Sequence, residues 1–210
     1  MNIDILCSSV EHAIYPALEK WRSNSAKLHK ISIFSDTKSL SGGDFLFLVS
    51  ATDIVPSEIL ESYSHPLVIH GSDLPKGRGW SPITWQIINQ EKSFTLSLLE
   101  ADHPVDSGKI WKKIKLKLDD TLVFSEIMSE IALGTIALMD FALVNYDSVD
   151  PVAQFGEPTY YNRRNPTDSE INPAQSISNV FDIIRVSDPT RYPAHFTFRG
   201  RRYRITIAPM

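Results

Sequence analysis

Cysteine is almost missing from this chain: Cys7 is its one example in 210 residues. A single thiol can close no disulfide within the chain and can build no multi-thiolate zinc site. Basic charge is also scarce. Lysine and arginine total 21 against 25 aspartates and glutamates, a net charge of −4, which argues against broad nucleic-acid binding as the main task. The first ten residues lack the basic segment and long apolar core of a secretion signal. The longest apolar stretch, 131–144, is interrupted by Asp140 and is too short to span a bilayer. Internal repeats and low-complexity tracts are absent. These absences predict a cytoplasmic protein with no membrane partner. What is present is ordinary: 42% hydrophobic and 22% charged residues, enough for one substantial domain with a small appendage. A chain of this size buries roughly 70% of its unfolded surface and needs no covalent staple.

The patterning along the first half alternates between strands and helices. Residues 1–8 and 30–36 alternate apolar and polar, as half-buried strands do. Residues 44–50 are continuously apolar, the signature of a strand covered on both faces. Ile14, Leu18 and Trp21 have helical spacing within 11–25, and Pro56 suits the first turn of another helix. Pro66-Leu-Val-Ile-His70 reads as a short buried strand. A glycine-bearing loop, 71–79, follows, and Ser81-Pro82 reads as N-cap and first turn of the next helix. Residues 93–99 read as a strand, and 109–118, studded with lysines, as an edge strand. A long apolar helix is expected over 120–146. Alternation of this kind predicts an α/β fold, a Rossmann-like, mostly parallel sheet flanked by helices. Composition changes at Asp147. Four prolines among polar residues mark a linker over 147–175, then a helix over 177–186 and a hairpin over 196–207 turning at Gly200. The expected division is a main domain, 1–146, and a small helix-plus-hairpin extension, 147–210.

Two segments carry chemistry. His70 ends a buried strand where the carboxyl ends of strands form the ligand crevice of open α/β sheets, and an imidazole there can exchange protons near neutral pH. The bland alternative is a histidine that only caps the strand. Asp102 and Asp106 flank a proline-bearing loop between two strands, and Asp106-Ser107-Gly108 can equally be plain turn chemistry. Lys76 and Arg78 could meet an anion or form a solvated basic loop. Arg199, Arg201, Arg202 and Arg204, beside Tyr203 and Phe198, could touch nucleic acid or a nucleotide diphosphate, and read more simply as the charged outer face of the terminal hairpin.

Taken in order, these segments resemble the formyltransferases that use 10-formyltetrahydrofolate. His70, Ser72, Leu74, Pro75, Lys76, Arg78, Gly79, Pro82 and Trp85 match that family's first motif and helix start, and Asp106, Gly108 and Ile110 its second. The stretch Val49-Ser-Ala-Thr-Asp-Ile-Val-Pro-Ser-Glu-Ile-Leu60 resembles the family's folate-contacting loop and following helix. The likeness covers about residues 45–120 and continues weakly into 163–171. Two departures stand out: Val68 replaces the family's asparagine two residues before the histidine, and Asp73 replaces a leucine. The loop form is similar to that of formyltransferase-like proteins of pseudaminic-acid-type sugar pathways.

The resemblance implies the formyltransferase fold, no metal, and 10-formyltetrahydrofolate as co-substrate. It implies His70 as the proton-transferring group, oriented by Asp106, with Ser72 the third catalytic residue. Thr52, Ile54, Val55, Leu99, Glu100, Ala101 and Asp102 would contact the folate, and Lys76, Arg78, Gly79, Trp80 and Arg163 the acceptor. A nucleotide-linked amino sugar is the expected acceptor, with no nucleic-acid partner and room for a homodimer through the C-terminal segment. A UDP-4-amino-4,6-dideoxy sugar, met in surface-polysaccharide biosynthesis, is the sharpest form of that expectation. The alternatives are a methionyl-tRNA or peptide-synthetase type of formyltransferase, a formyltetrahydrofolate hydrolase, and a non-catalytic binding protein. Loss of one oxyanion donor at Val68 would cost about 3–4 kcal/mol of barrier unless another donor serves, and Ser72, Ser50, Ser81 and a backbone N–H of the loop are all open to that role.

Overall fold

A computed structural model describes all residues, Met1–Met210. The elements follow in the order β1 (Asn2–Leu6), α1 (Tyr15–Ser25), β2 (Lys30–Phe34), β3 (Gly43–Leu48), α2 (Ser57–Leu60), β4 (Tyr63–His70), β5 (Arg78–Gly79), α3 (Pro82–Ile88), β6 (Phe94–Glu100), β7 (Ile110–Leu116), α4 (Phe124–Asn145), β8 (Tyr160–Tyr161), α5 (Ile177–Val186), β9 (His195–Phe198) and β10 (Arg201–Arg204). Six strands form the main sheet in the order β2-β1-β3-β4-β6-β7. The pairs from β2 to β4 are parallel, and those of β4 with β6 and β6 with β7 are antiparallel. Lysine-rich β7 is the edge strand, and the lysines discourage pairing with another chain.

Period-two alternation sorts the core. Ile3, Ile5, Phe45, Phe47 and Leu67 face one way and pack against Leu18 and Trp21 of α1 and Leu138, Met139 and Ala142 of α4. Leu6 and Leu46 face the other way, against Val55, Leu60 and Tyr63. Both faces are therefore covered, which explains the unbroken apolar run in β3. Asp140, which interrupts the apolar stretch of α4, accepts a hydrogen bond from the Trp21 indole at 2.7 Å and ties α4 to α1. The helix is longer than that stretch, 22 residues, and lies against the sheet.

Two local expectations need correction. The first helix starts at Tyr15, not Glu11, because Pro16 sets its first turn and residues 12–14 form a separate turn in which the Ile14 amide donates to the His12 ring. Ser81 precedes α3 but does not cap it. At φ 47 and ψ 46 its backbone is left-handed, whereas a capping side chain requires the extended region.

Beyond α4 the chain returns across the body. Buried Arg185 of α5 bonds Asp182 and the carbonyls of Asp119 and Leu122. Ile171, Val180, Ile184 and Ala194 form a small separate core under the terminal hairpin. The proline-bearing stretch expected as a linker is itself held down: Val152 bridges Ile110 of β7, and β8 pairs with β5.

Candidate active site

His70 is the last residue of β4 and is 7% exposed; Asp106, in the loop after β6, is 6% exposed. The imidazole Nδ1 lies 3.5 Å from one carboxylate oxygen of Asp106. Its Nε2 lies 2.8 Å from the carbonyl oxygen of Gly77. Both ring nitrogens thus face oxygens that only accept. A neutral imidazole carries one N–H and serves one of them at a time, whereas the doubly protonated ring serves both. The second oxygen of Asp106 accepts from the Gly79 amide at 2.9 Å. The loop between β4 and α3 therefore holds the histidine through Gly77 and the carboxylate through Gly79.

Glycine is required at position 79. Its φ is 96, and a Cβ there would sit 2.5 Å from the carbonyl oxygen of Tyr161. At Gly108 a Cβ would collide with the Glu100 carbonyl, so no other residue lets the Asp106 loop pass so close to β6.

Ser72 is 2% exposed. Its carbonyl accepts from Ser97 at 2.7 Å, while its Oγ is buried with no partner. Lys76 is exposed. Arg78 is half-buried, and its guanidinium donates to Gln154 at 2.7 Å. The exposed Arg163 guanidinium lies over the half-buried Trp80 ring, 4.6 Å from its centroid, so these two expected acceptor residues are brought together. Trp85 donates from its indole to the Asn162 carbonyl. Asp73, the departure from the leucine pattern, pairs with Lys113 of β7 at 2.7 Å and anchors the loop to the sheet edge.

The residues expected to contact folate fall into two groups. The Thr52 amide donates to Ser8, Ile54 is exposed, and Val55 is buried in the core behind the loop. Leu99 is wholly buried, while Glu100, Ala101 and Asp102 line a cleft of about 220 Å³ with His65 and Trp111. Ala51 and Ala101 pack on the same apolar cluster, which brings the two loops to one face of the sheet. Val68, between Leu48 and Leu99, offers no donor.

Residues 152–161 supply groups that sequence patterning did not single out. Gln154 bonds the Asp106 loop, Thr159 accepts from the Gly77 amide, and the Tyr161 carbonyl accepts from the Trp80 amide. The Tyr161 hydroxyl donates to Glu91 at 2.7 Å. Burial, and then that carboxylate, push the phenol up to about 12. Polar residues in an aperiodic, proline-bearing stretch give no signal of this role.

No family model matches the chain. Its sequence is 30% identical over 180 residues to the methionyl-tRNA formyltransferase of Thermodesulfovibrio yellowstonii, covering 82% of this chain and 56% of that protein. The chain thus spans about half the length of such relatives. Among solved structures, the methionyl-tRNA formyltransferase from Clostridium thermocellum superposes with a TM-score of 0.85 at 26% identity, covering all of this chain and 93% of that one. A sugar N-formyltransferase from Shewanella (TM-score 0.75, 14% identity, 100% and 98% covered) and HypX from Aquifex aeolicus with tetrahydrofolic acid (0.78, 16%, 98% and 37%) share the fold. A buried histidine at the end of β4 and a carboxylate facing it thus accompany a likeness to formyltransferases, in sequence and in fold, along most of the chain.

Proposed function

We propose that the chain transfers a formyl group from 10-formyltetrahydrofolate to a primary amine on a nucleotide-bearing acceptor, and that a nucleotide-linked amino sugar is that acceptor. The observation that carries the reading is the His70–Asp106 pair, buried and held from both sides by one glycine loop. Burial strengthens the electrostatics of such a pair.

The chemistry follows from the geometry. With its proton on Nδ1, donated to Asp106, the ring presents a lone pair at Nε2 once the Gly77 carbonyl gives way to substrate. The amine nitrogen attacks the formyl carbon, and the carbonyl oxygen becomes negative. Nε2 takes a proton from the amine, and Asp106 stabilises the charged ring. The bond from the formyl carbon to the folate nitrogen then breaks, and the ring returns its proton to that nitrogen. The products are the formamide and tetrahydrofolate. Val68 supplies nothing to the developing oxyanion. The buried, unpartnered Ser72 hydroxyl is the donor we assign to it. Arg163, held over the Trp80 ring, suits the phosphate of such an acceptor, since guanidinium groups pair with phosphate.

A second acceptor, methionyl-tRNA, is favoured by one observation: the 30% identity to a methionyl-tRNA formyltransferase. Both acceptors present an amine near a nucleotide. Mass spectrometry separates them. The protein is incubated with 10-formyltetrahydrofolate and, separately, UDP-linked 4-amino sugars and methionyl-tRNA. A gain of one formyl group on a sugar, lost in His70→Ala, is the expected result. Formylation of methionyl-tRNA alone moves the conclusion to the second acceptor. Release of formate with neither acceptor modified identifies a hydrolase.

A further inference from the structure

We infer that Gln154 is a positioning residue for the proposed formyl transfer, acting through Asp106. The inference rests on that reading for its kinetic arm and on the structure alone for its structural arm. Asp106 sits at φ 59, an unfavourable backbone for a residue with a Cβ, in a turn closed by the Ser107 amide and hydroxyl on the Pro104 carbonyl, which leaves the Asp106 and Gly108 carbonyls to partners outside the loop. Gln154, half-buried, is that outside partner. Its side-chain amide donates to the Asp106 carbonyl at 2.8 Å and to the Gly108 carbonyl at 2.9 Å. Its oxygen accepts from the Arg78 guanidinium at 2.7 Å. The partners settle which end of the amide is which, because the reverse orientation would set three oxygens together and two donors together.

These bonds close a circuit. The Asp106 carboxylate accepts from the Gly79 amide; Gly79 adjoins Arg78; the Arg78 guanidinium reaches Gln154; and Gln154 returns to the Asp106 carbonyl. Two loops far apart in sequence are thereby locked at the spacing that leaves Asp106 facing His70. The position demands a side chain that donates twice and accepts once. Glutamate keeps the size and the Arg78 partner but turns acceptors toward two carbonyls. Leucine keeps the bulk and makes none of the three bonds. A misplacement of about 1 Å in a reacting constellation can cost about a hundredfold in rate.

The test compares wild type with Gln154→Glu and Gln154→Leu. Hydrogen exchange at the Gly79 amide, measured by NMR, should rise about tenfold or more in both variants, as its bond to Asp106 loosens. Amides in the β4–β6 ladder should keep their wild-type exchange. In formyl transfer, kcat should fall about ten- to a hundredfold while KM for 10-formyltetrahydrofolate stays within about twofold. Unchanged Gly79 exchange in both variants overturns the clamp. Faster exchange with unchanged kcat overturns the positioning role, as does a loss confined to KM. If wild type formylates neither acceptor, the formyl-transfer reading fails, and Gly79 exchange still decides the clamp.

Discussion

Acidification should unlock the packing of the C-terminal segment on the loop after β1, and His12 is the residue to watch. Its ring is largely buried and lies near Arg191. Burial first, and then the Arg191 cation, lower its pKa to about 4 from 6.5, while Asp188 opposes the shift. The local geometry agrees, because the Ile14 amide donates to the His12 Nδ1 lone pair, which a second ring proton would occupy. Folding therefore favours the neutral ring. A group depressed in this way contributes stability that is fully present above pH 6.5 and is lost as pH falls toward 4. The gap amounts to about 3 kcal/mol at about 1.4 kcal/mol per pH unit. At about pH 4.5, where the unfolded ring is almost fully protonated, the loss should be about 2.5 kcal/mol.

His12→Asn isolates this contribution. The asparagine side-chain oxygen can accept from an amide two residues on, as Nδ1 does, and it does not titrate. Urea unfolding of both proteins at about pH 7.5 and about pH 4.5 gives four stabilities. Carboxylates such as Asp188 act in both proteins and cancel in the difference. Wild type should lose about 2.5 kcal/mol more than the variant on acidification. Equal losses, within about 0.5 kcal/mol, would refute the burial and the proximity to Arg191 together.

Other changes test the site. Gly79→Ala places a Cβ at a left-handed φ and 2.5 Å from the Tyr161 carbonyl, so unfolding by urea should show a loss of about 2–4 kcal/mol. Ser72→Ala removes a buried hydroxyl that has no partner, so stability should hold or rise slightly; kcat should nonetheless fall about a hundred- to a thousandfold if that hydroxyl serves the oxyanion. An unchanged kcat would return the oxyanion to another donor.

Much of the fold was legible because its signals are local. Alternation in β1, the continuous apolar run of β3 and the helical spacing of Leu18 and Trp21 report burial directly, and the alternation of strands with helices reports the α/β class. His70 was legible for the same reason: a histidine closing an apolar strand stands at the sheet's carboxyl edge. The antiparallel half of the sheet was less so, because periodicity is identical in parallel and antiparallel strands. Ser81 misled because a capping residue type was present without capping dihedrals. Gln154 and Thr159 carried no sign at all, since their partners lie 46–82 residues away in sequence.

The place of Asp106 shows why composition alone could not separate turn chemistry from site chemistry. Because β6 runs antiparallel to β4, His70 pairs with Ser97 and Leu67 pairs with Glu100. The loop after β6 therefore departs three residues behind His70, about 10 Å along the strand at about 3.4 Å per residue. A parallel neighbour would have delivered its following loop at the level of His70. Asp106 must come back over that distance, and local turn geometry alone cannot aim a carboxylate so far from the strand it left. Its aim comes from outside the loop, through the Gly79 amide on one side and Gln154 on the other. A constellation held in this way is fragile where the core is not. Changes in residues 152–161 should therefore cost more in rate than in stability, the reverse of what truncating the apolar side chains beneath α4 would do.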